Sequence, residues 1–326
     1  MSILARQIRF ARYGDPEVLA FEPVELPLPA PGEVLLRHTA IGVNFIDTYQ
    51  RSGLYPVPLP SGLGQEAAGV VEAVGDGVVE FAPGDRVAYA GGTPGSYATH
   101  RLYPAARLVP VPAEIPDDVA AGTLLRGMTA QYLLKQTFKV QPGMTVLIHA
   151  AAGGVGQIAC QWARSLGATV IGTVGSPAKA ALVRPWCDHV IDYHSEDWVA
   201  RVRELTQGAG VPVVYDGVGA ATFEGSLDCL APRGMLVSFG NASGAVPPFS
   251  PGILSQKGSL YLTRPTLGHY VASREELLDT AADYFTMVTR GEVAANIGQR
   301  YLLADVAQAH RDLAARVTTG STLLLP

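Results

Sequence analysis

Seven small residues near the middle of the chain, Ala150-Ala151-Ala152-Gly153-Gly154-Val155-Gly156, occupy a position suited to binding an anion. They follow the apolar run Val146-Leu147-Ile148 and precede an amphipathic helix predicted from about Ile158 to Leu166. Gly167-Ala168 then leads into a second apolar run, Thr169 to Val174. In such a strand–turn–helix–strand unit, missing side chains let the backbone approach a pyrophosphate, whose charge is favoured at the helix N-terminus. The chemistry expected is dinucleotide binding. Ala151 stands where the fingerprint begins with glycine, so the loop alone does not name a subfamily.

The stretch that follows bears on which dinucleotide. In NAD-binding folds an acidic residue about 20 positions past the glycines holds the ribose 2′-OH. Here no Asp or Glu occurs between Ala151 and Cys187. The turn after the second apolar run, Gly175-Ser176-Pro177-Ala178-Lys179, offers a hydroxyl, backbone N–H groups and an ammonium instead. This favours NADPH, although Lys179 also reads as a solvated helix lysine. Tyr193 follows Ile191-Asp192 at the expected carboxyl end of a third strand, where it either stacks on adenine or lies on the surface. His149, ending the first strand, reads as structural. Cys160, Cys187 and Cys229 lie far apart without a CxxC unit and read as small buried hydrophobes, not metal ligands.

The elements that must carry these residues fall into two rhythms. Up to about residue 125 the chain has short β-like runs, such as Val34–His38, Ala68–Val74 and Asp85–Tyr89, separated by Ala30-Pro31-Gly32, Gly75-Asp76-Gly77 and Ala82-Pro83-Gly84-Asp85. These predict a compact β-barrel-like domain. From about Thr129 strands alternate with helices: Thr145–His149, Thr169–Val174, His189–Asp192, Pro212–Tyr215, Met235–Phe239 and Ser259–Thr263, with helices such as Trp198–Thr206 and Ala221–Leu230. This predicts an α/β, doubly wound parallel sheet of about six strands. Beyond Pro265 come helices over Arg274–Thr289 and Asp305–Arg316 and a strand-like Thr322–Leu325. That tail is expected to have no parallel strand to feed and to return to the first domain.

Composition narrows the function classes. The chain's 326 residues suffice for two domains, and 48% hydrophobic with 16% charged residues describes a well-buried enzyme. No apolar run reaches membrane-span length, and Met1-Ser2-Ile3-Leu4-Ala5-Arg6 lacks a signal-peptide core, so no membrane partner and a cytoplasmic location are expected. A net charge of -5 without a Lys/Arg block argues against nucleic acid as a partner.

Six segments together resemble one family. They are Asn44-Phe45-Ile46-Asp47-Thr48-Tyr49, Ser61 to Gly69 (Ser-Gly-Leu-Gly-Gln-Glu-Ala-Ala-Gly), the Ala150–Gly156 loop, Val214 to Gly219, Val237 to Asn241, and Gly258 to Pro265. They are similar to the zinc-independent quinone oxidoreductases of the medium-chain dehydrogenase/reductase superfamily, especially the bacterial NADPH:quinone reductases related to ζ-crystallin. The resemblance runs essentially end to end. It implies a GroES-like catalytic domain over 1–126 and 266–326, a Rossmann NADPH-binding domain over 127–265, a cofactor cleft and a homodimer. It also implies cofactor contacts at Lys179, Tyr193 and Arg316 towards the 2′-phosphate, at Gly153, Gly154 and Val155 towards the pyrophosphate, and at Phe239, Gly240, Asn241, Thr263 and Arg264 towards the nicotinamide. Thr129, Gly175, Ser176 and Gly217 complete the cofactor candidates. Asn44 and Asp47 match the catalytic-domain side, Asn44 serving cofactor as well as substrate. Arg316 taken alone reads rather as a solvated helix-end arginine, and only the family pattern raises it; a mere turn residue is the lesser reading of Asn44.

Zinc-dependent relatives carry a Cys near Asn44 and Gly-His-Glu in place of Gly64-Gln65-Glu66, and a cysteine-rich lobe before Gly95-Ser96-Tyr97-Ala98. This chain lacks those ligands, so no metal is expected and metal-assisted alcohol oxidation loses its Lewis acid. A quinone needs neither a metal nor a nucleophile; alignment against a hydride donor suffices. Asn44 and Tyr49 are placed to bond substrate or ribose, Tyr55 to line the mouth of the site, and no residue stands out as a general acid. The expected activity is NADPH-dependent quinone reduction, with one- or two-electron transfer left open. The alternatives are an NADPH-dependent enal or enone reductase of the same fold, a zinc alcohol dehydrogenase, and a nucleotide- or RNA-binding protein. Gly258–Thr263, as the last strand of its sheet, offers an edge for dimerisation.

Overall fold

The computed structural model describes residues 2–326. The chain forms two compact units: one of residues up to Arg126 with Val271–Thr289 and Ala295–Pro326, the other of Gly127–Tyr270 with Arg290–Ala294.

The first unit begins with β1 (Ile3–Phe10), β2 (Ala20–Leu26), β3 (Glu33–Val43), α1 (Phe45–Ser52), β4 (Ser61–Gly62), β5 (Glu66–Val74), β6 (Arg86–Ala90), β7 (His100–Pro104), β8 (Val109–Pro110) and the start of α2 (Asp117–Tyr132). The second unit holds β9 (Thr145–Ile148), α3 (Gly154–Ser165), β10 (Thr169–Val174), α4 (Pro177–Val183), β11 (His189–Asp192), α5 (Trp198–Leu205), β12 (Val211–Asp216), α6 (Phe223–Asp228), β13 (Leu230–Ser238), α7 (Gly252–Gln256), β14 (Tyr261–Thr263) and α8 (Leu267–Tyr270). The chain closes with α9 (Arg274–Thr289), β15 (Ile297–Leu302), α10 (Val306–Ala314) and β16 (Ser321–Leu325). No helix among the described residues is long and apolar enough to cross a membrane.

In the first unit a three-stranded sheet, β2-β1-β4, accompanies a seven-stranded one ordered β15-β16-β3-β5-β6-β8, with β7 also pairing β3. The core between them gathers Ile8, Phe10, Val34, Leu36, Ile41, Leu63, Val71, Val87, Tyr89 and Tyr97 with Val306, Ala309 and Leu324 from the far end of the sequence. The expectation that the tail feeds no parallel strand is corrected here. β15 and β16 pair in parallel, with α10 as their crossover, and β16 then pairs antiparallel with β3, Leu323 facing Gly42. Ile297, Gln299 and Tyr301 are half-buried and alternate with exposed Gly298, Arg300 and Leu302, a two-residue period that the polar Gln299 inside and the apolar Leu302 outside obscure in the sequence.

The second unit is a six-stranded parallel sheet ordered β11-β10-β9-β12-β13-β14. Counted from β9 this is the 3-2-1-4-5-6 order of a dinucleotide-binding sheet, which reverses direction between β9 and β12. Its strands are buried on both faces, so they read as continuous apolar runs such as Val146-Leu147-Ile148 and Val213-Val214-Tyr215. β13 starts at Leu230, five residues before the predicted Met235. Two segments beyond the expected limit of this sheet's unit stay with it. Tyr270 stacks on Tyr132 at 4.4 Å with Thr137 Oγ1 donating to its hydroxyl at 2.9 Å, and Ala294 N–H donates to Gln161 Oε1 at 2.8 Å.

Candidate functional site

In the second unit the loop after β9 turns through Ala150, whose φ of 51° lies in the left-handed region. Ala151 N–H donates to Thr173 O at 2.9 Å, tying the loop to β10, and Gly153 N–H closes the turn on Ala150 O at 2.8 Å. Gly153 is the N-cap of α3, which begins at Gly154, four residues before the predicted start. The glycines themselves wind into the first helical turn, so the N–H groups of Gly154 and Val155 belong to the open end of the helix. A side chain at Gly156 would collide with Ala150 O and lie 2.9 Å from Ala151 Cα, so glycine is required for α3 to approach the turn.

The other second-unit candidates lie at the carboxyl ends of neighbouring strands. Gly175 and Ser176 follow β10, and Tyr193 follows the adjacent β11, with Val174 facing Asp192. A Cβ on Gly175 would come within 2.5 Å of the Tyr193 hydroxyl, so that glycine makes room for the tyrosine. Ser176 caps α4, its Oγ accepting from Lys179 N–H at 3.3 Å. This places the Lys179 side chain in the first helical turn. Asp188, the first acid after the loop, is turned to the opposite edge, where its Oδ2 accepts from Val170 N–H at 2.8 Å. Gly217 follows β12 and Phe239 follows β13, with Phe239 N–H donating to Asp216 O at 2.8 Å. Gly240 packs so tightly on Gly217 that a Cβ would overlap its carbonyl oxygen. Thr263 ends β14, and Arg264 Nη1 donates to Ser238 O at 2.8 Å. Thr129 is buried on α2. Thus the loop after β9 and the ends of five further strands converge on one sheet edge, where ligands bind in doubly wound sheets.

His149 lies inside that unit. Its Nδ1 meets Thr173 Oγ1 at 2.8 Å and its Nε2 meets Ser226 Oγ at 3.1 Å, while Asp216 Oδ2 accepts from Ser226 and Thr222 hydroxyls. Burial lowers its pKa, so it remains a neutral bracing group.

In the first unit Asn44 is the N-cap of α1. Its backbone N–H donates to Asp47 Oδ2 at 2.7 Å, and its Nδ2 donates to Glu66 Oε1 at 2.8 Å. Asp47 is fully enclosed, and the Tyr97 hydroxyl also donates to its Oδ2 at 2.8 Å. Because Tyr97 has used its only hydrogen there, His310 Nε2, 3.1 Å from the Tyr97 hydroxyl oxygen, donates to that hydroxyl. Burial pushes Asp47 up to about 7, against the two hydrogen bonds that favour its charged form. Burial, reinforced by the nearby Arg51 charge, lowers His310 to about 3. Asp47 therefore holds α1 and Tyr97 in place from inside the unit. Tyr49 and Tyr55 are half-buried and pack edge to face at 5.2 Å, with Tyr55 N–H donating to Tyr49 O at 3.1 Å. Arg316, with a φ of 59°, lies exposed just beyond α10.

Sequence reasoning missed Glu66, Tyr97 and His310. Glu66 adjoins the Gly64-Gln65 signature and was within reach. His310 is 213 residues from Tyr97, and no local pattern marks it. At the two positions where zinc-dependent relatives place a thiolate and an imidazole, this chain has the Asn44 amide bonded to Glu66 and the Gln65 amide donating to Gln50 Oε1 at 3.1 Å.

A 3-2-1-4-5-6 sheet with a glycine turn along its carboxyl edge is the arrangement of a dinucleotide-binding domain. Residues 30–113 match the family described as alcohol dehydrogenase GroES-like domain, and residues 154–283 the family described as zinc-binding dehydrogenase. The quinone oxidoreductase of Pseudomonas aeruginosa is 55% identical, over 99% of this chain and 100% of that protein. The crystal structure of Escherichia coli quinone oxidoreductase complexed with NADPH superposes with a TM-score of 0.97 at 48% identity, over 98% of this chain and 100% of that one. A 2-haloacrylate reductase from a Burkholderia species is 48% identical over 96% of each chain. The chain belongs to the quinone oxidoreductases of the medium-chain dehydrogenase/reductase superfamily.

Proposed function

We propose that this protein reduces quinones with NADPH and without a metal ion. The observation that carries the reading is the carboxyl edge of the six-stranded sheet, where a glycine turn opens α3 and the end of β10 presents Gly175, Ser176 and Lys179 without a carboxylate. The residues present fit the cofactor. Gly156 and Gly240 leave no room for side chains, which lets α3 and the loop after β13 lie directly on the main chain of the neighbouring turns at this edge. Gly154 and Val155 would hold the pyrophosphate through N–H groups at the start of α3, with Gly153, whose own N–H closes the turn on Ala150 O, leaving the turn without a side chain beside it. Gly175, Ser176, Lys179 and Tyr193 would hold the adenosine 2′-phosphate side. Thr129, Gly217, Phe239, Gly240, Asn241, Thr263 and Arg264 would orient the nicotinamide side.

When bound, NADPH supplies a hydride equivalent. The protein's part is positioning. Asn44, Tyr49 and Tyr55 supply hydrogen-bonding and aromatic groups on the substrate side, and Asp47 acts through α1 by holding Asn44. The amides at Asn44 and Gln65 are poor replacements for the thiolate and imidazole of a zinc site, which supports a reaction without a Lewis acid.

The 48% identity to a 2-haloacrylate reductase favours alkene reduction as the second reading. Purified protein with NADPH, tested on 1,4-benzoquinone, naphthoquinones and an enone, separates the two. Rapid NADPH consumption with the quinones is expected; turnover of the enone alone would replace quinone reduction by alkene reduction.

A homodimer through β14 also fits, because this strand ends its sheet and Tyr261 on it is 59% exposed. Light scattering at micromolar concentration should give twice the mass of one chain, and a monomer would refute it.

A further inference from the structure

Glu66 opens β5 and has no exposed surface. Both of its oxygens are engaged: Oε1 accepts from Asn44 Nδ2 at 2.8 Å and Oε2 from Leu125 N–H at 2.8 Å. The carboxylate is also confined sterically, since a Cβ on Gly42 would overlap Oε1 and lie 2.6 Å from Glu66 Cγ. Burial raises the pKa of Glu66, and the charge of the buried Arg126 guanidinium, which donates to Gly122 O at 2.6 Å and Val43 O at 2.5 Å, opposes that rise together with the hydrogen bonds from Asn44 and the Leu125 N–H.

A carboxylate accepts hydrogen bonds and does not donate them. The two ends of an asparagine amide are nearly equal in size, so packing alone does not choose between them. Facing Glu66, the Asn44 amide must turn its nitrogen inward and keep its oxygen elsewhere.

We propose that Glu66 is a positioning residue for the reaction: it sets which end of the Asn44 amide faces the ligand while touching neither substrate nor cofactor. The inference rests on the reading that Asn44 serves the cofactor or substrate. Its consequence is that Asn44 is a polarised group rather than a freely flipping one, so it recognises its ligand in a single orientation. Glutamate is the acid that imposes this, because a neutral amide at the same place would present N–H as readily as oxygen.

Five proteins test it: the wild type, Asn44→Ala, Asn44→Asp, Glu66→Gln, and the double variant Asn44→Asp/Glu66→Gln. Asn44→Ala should impair turnover; if it behaves as wild type, the placement of Asn44 in the site fails. With Asn44→Ala impaired, Glu66→Gln should raise the KM of NADPH or quinone about tenfold, the scale of one charge-assisted hydrogen bond, with kcat changing less than about threefold. NMR of the Asn44 side-chain NH2 should show slow hydrogen exchange in the wild type and faster exchange in Glu66→Gln. An unchanged KM together with unchanged exchange overturns the positioning role. The double variant reverses the polarity of the pair and covers the case in which Glu66→Gln fails to fold. Because the aspartate at position 44, held by the amide introduced at position 66, still turns an oxygen to the ligand, the double variant should regain the Tm lost by Asn44→Asp alone and keep a KM nearer the wild type than Asn44→Ala does. A folded double variant as impaired as Asn44→Ala also overturns the proposal.

Discussion

Replacing Gly156 with alanine is expected to lower kcat/KM for NADPH by about 100-fold, the cost typical of displacing a binding group by roughly an ångström. The added Cβ meets main chain on two sides, Ala150 O and Ala151 Cα, and neither can rotate away as a side chain would. The start of α3 must retreat from the β9 turn, carrying with it the N–H groups of Gly154 and Val155. A loss of about 1–3 kcal/mol in stability should accompany the change, as for an overpacked core. Gly153→Ala is the control, because its Cβ would lie 3.1 Å from Ala150 O, a contact that small adjustments relieve. A fluorescence titration with NADPH and a thermal melt read both effects. If Gly156→Ala binds NADPH as the wild type does, the turn is not the pyrophosphate site.

Lys179→Glu is expected to raise the KM of NADPH by about 100-fold while changing that of NADH by less than about threefold. The lost charge-assisted hydrogen bond accounts for roughly 1.5–3 kcal/mol, and the new carboxylate adds repulsion of the 2′-phosphate. Folding should not confound the result. Lys179 is the third residue of α4 and its own N–H already bonds to the capping Ser176. A glutamate there completes the Ser-x-x-Glu capping box and suits the positive end of the helix, so Tm should hold or rise slightly. Steady-state kinetics with both cofactors decide the matter: equal losses for NADPH and NADH would remove Lys179 from 2′-phosphate recognition.

Both effects arise from local sequence, which explains why they were legible early. A glycine turn between a buried strand and a helix can be recognised from spacing, because strand burial and helix capping are short-range. The six strands of the parallel sheet appear as apolar runs for the same reason, since both faces are covered and little alternation is needed. The missed start of α3 and the missed β15 have opposite causes. In α3 the glycines of the turn also form the first helical turn, so composition argued for loop where geometry made helix. In β15 the inward residues Ile297, Gln299 and Tyr301 are too mixed in polarity to show a clear period.

The first unit's site was the least legible. Asn44 and Asp47 stood out by their family pattern, but their environment is assembled from β5, the segment before β7 and α10. Glu66 meets Asn44 across 22 positions, and His310 meets Tyr97 across 213. Hydrogen bonds at such separations leave no periodicity or cap signature, because only the pairing of β16 with β3 and the packing of α10 carry the chain's end into this unit.

The amino-acid sequence by itself determined the dinucleotide turn, the acid-free end of β10, the six-stranded sheet and the amides that stand in place of metal ligands. Each depends on residues near one another along the chain. The tertiary structure alone decided that Asp47 is a buried brace, that Glu66 faces Asn44, and that Tyr97 links Asp47 to His310. Those roles depend on burial and on the direction of hydrogen bonds, which only the folded chain creates.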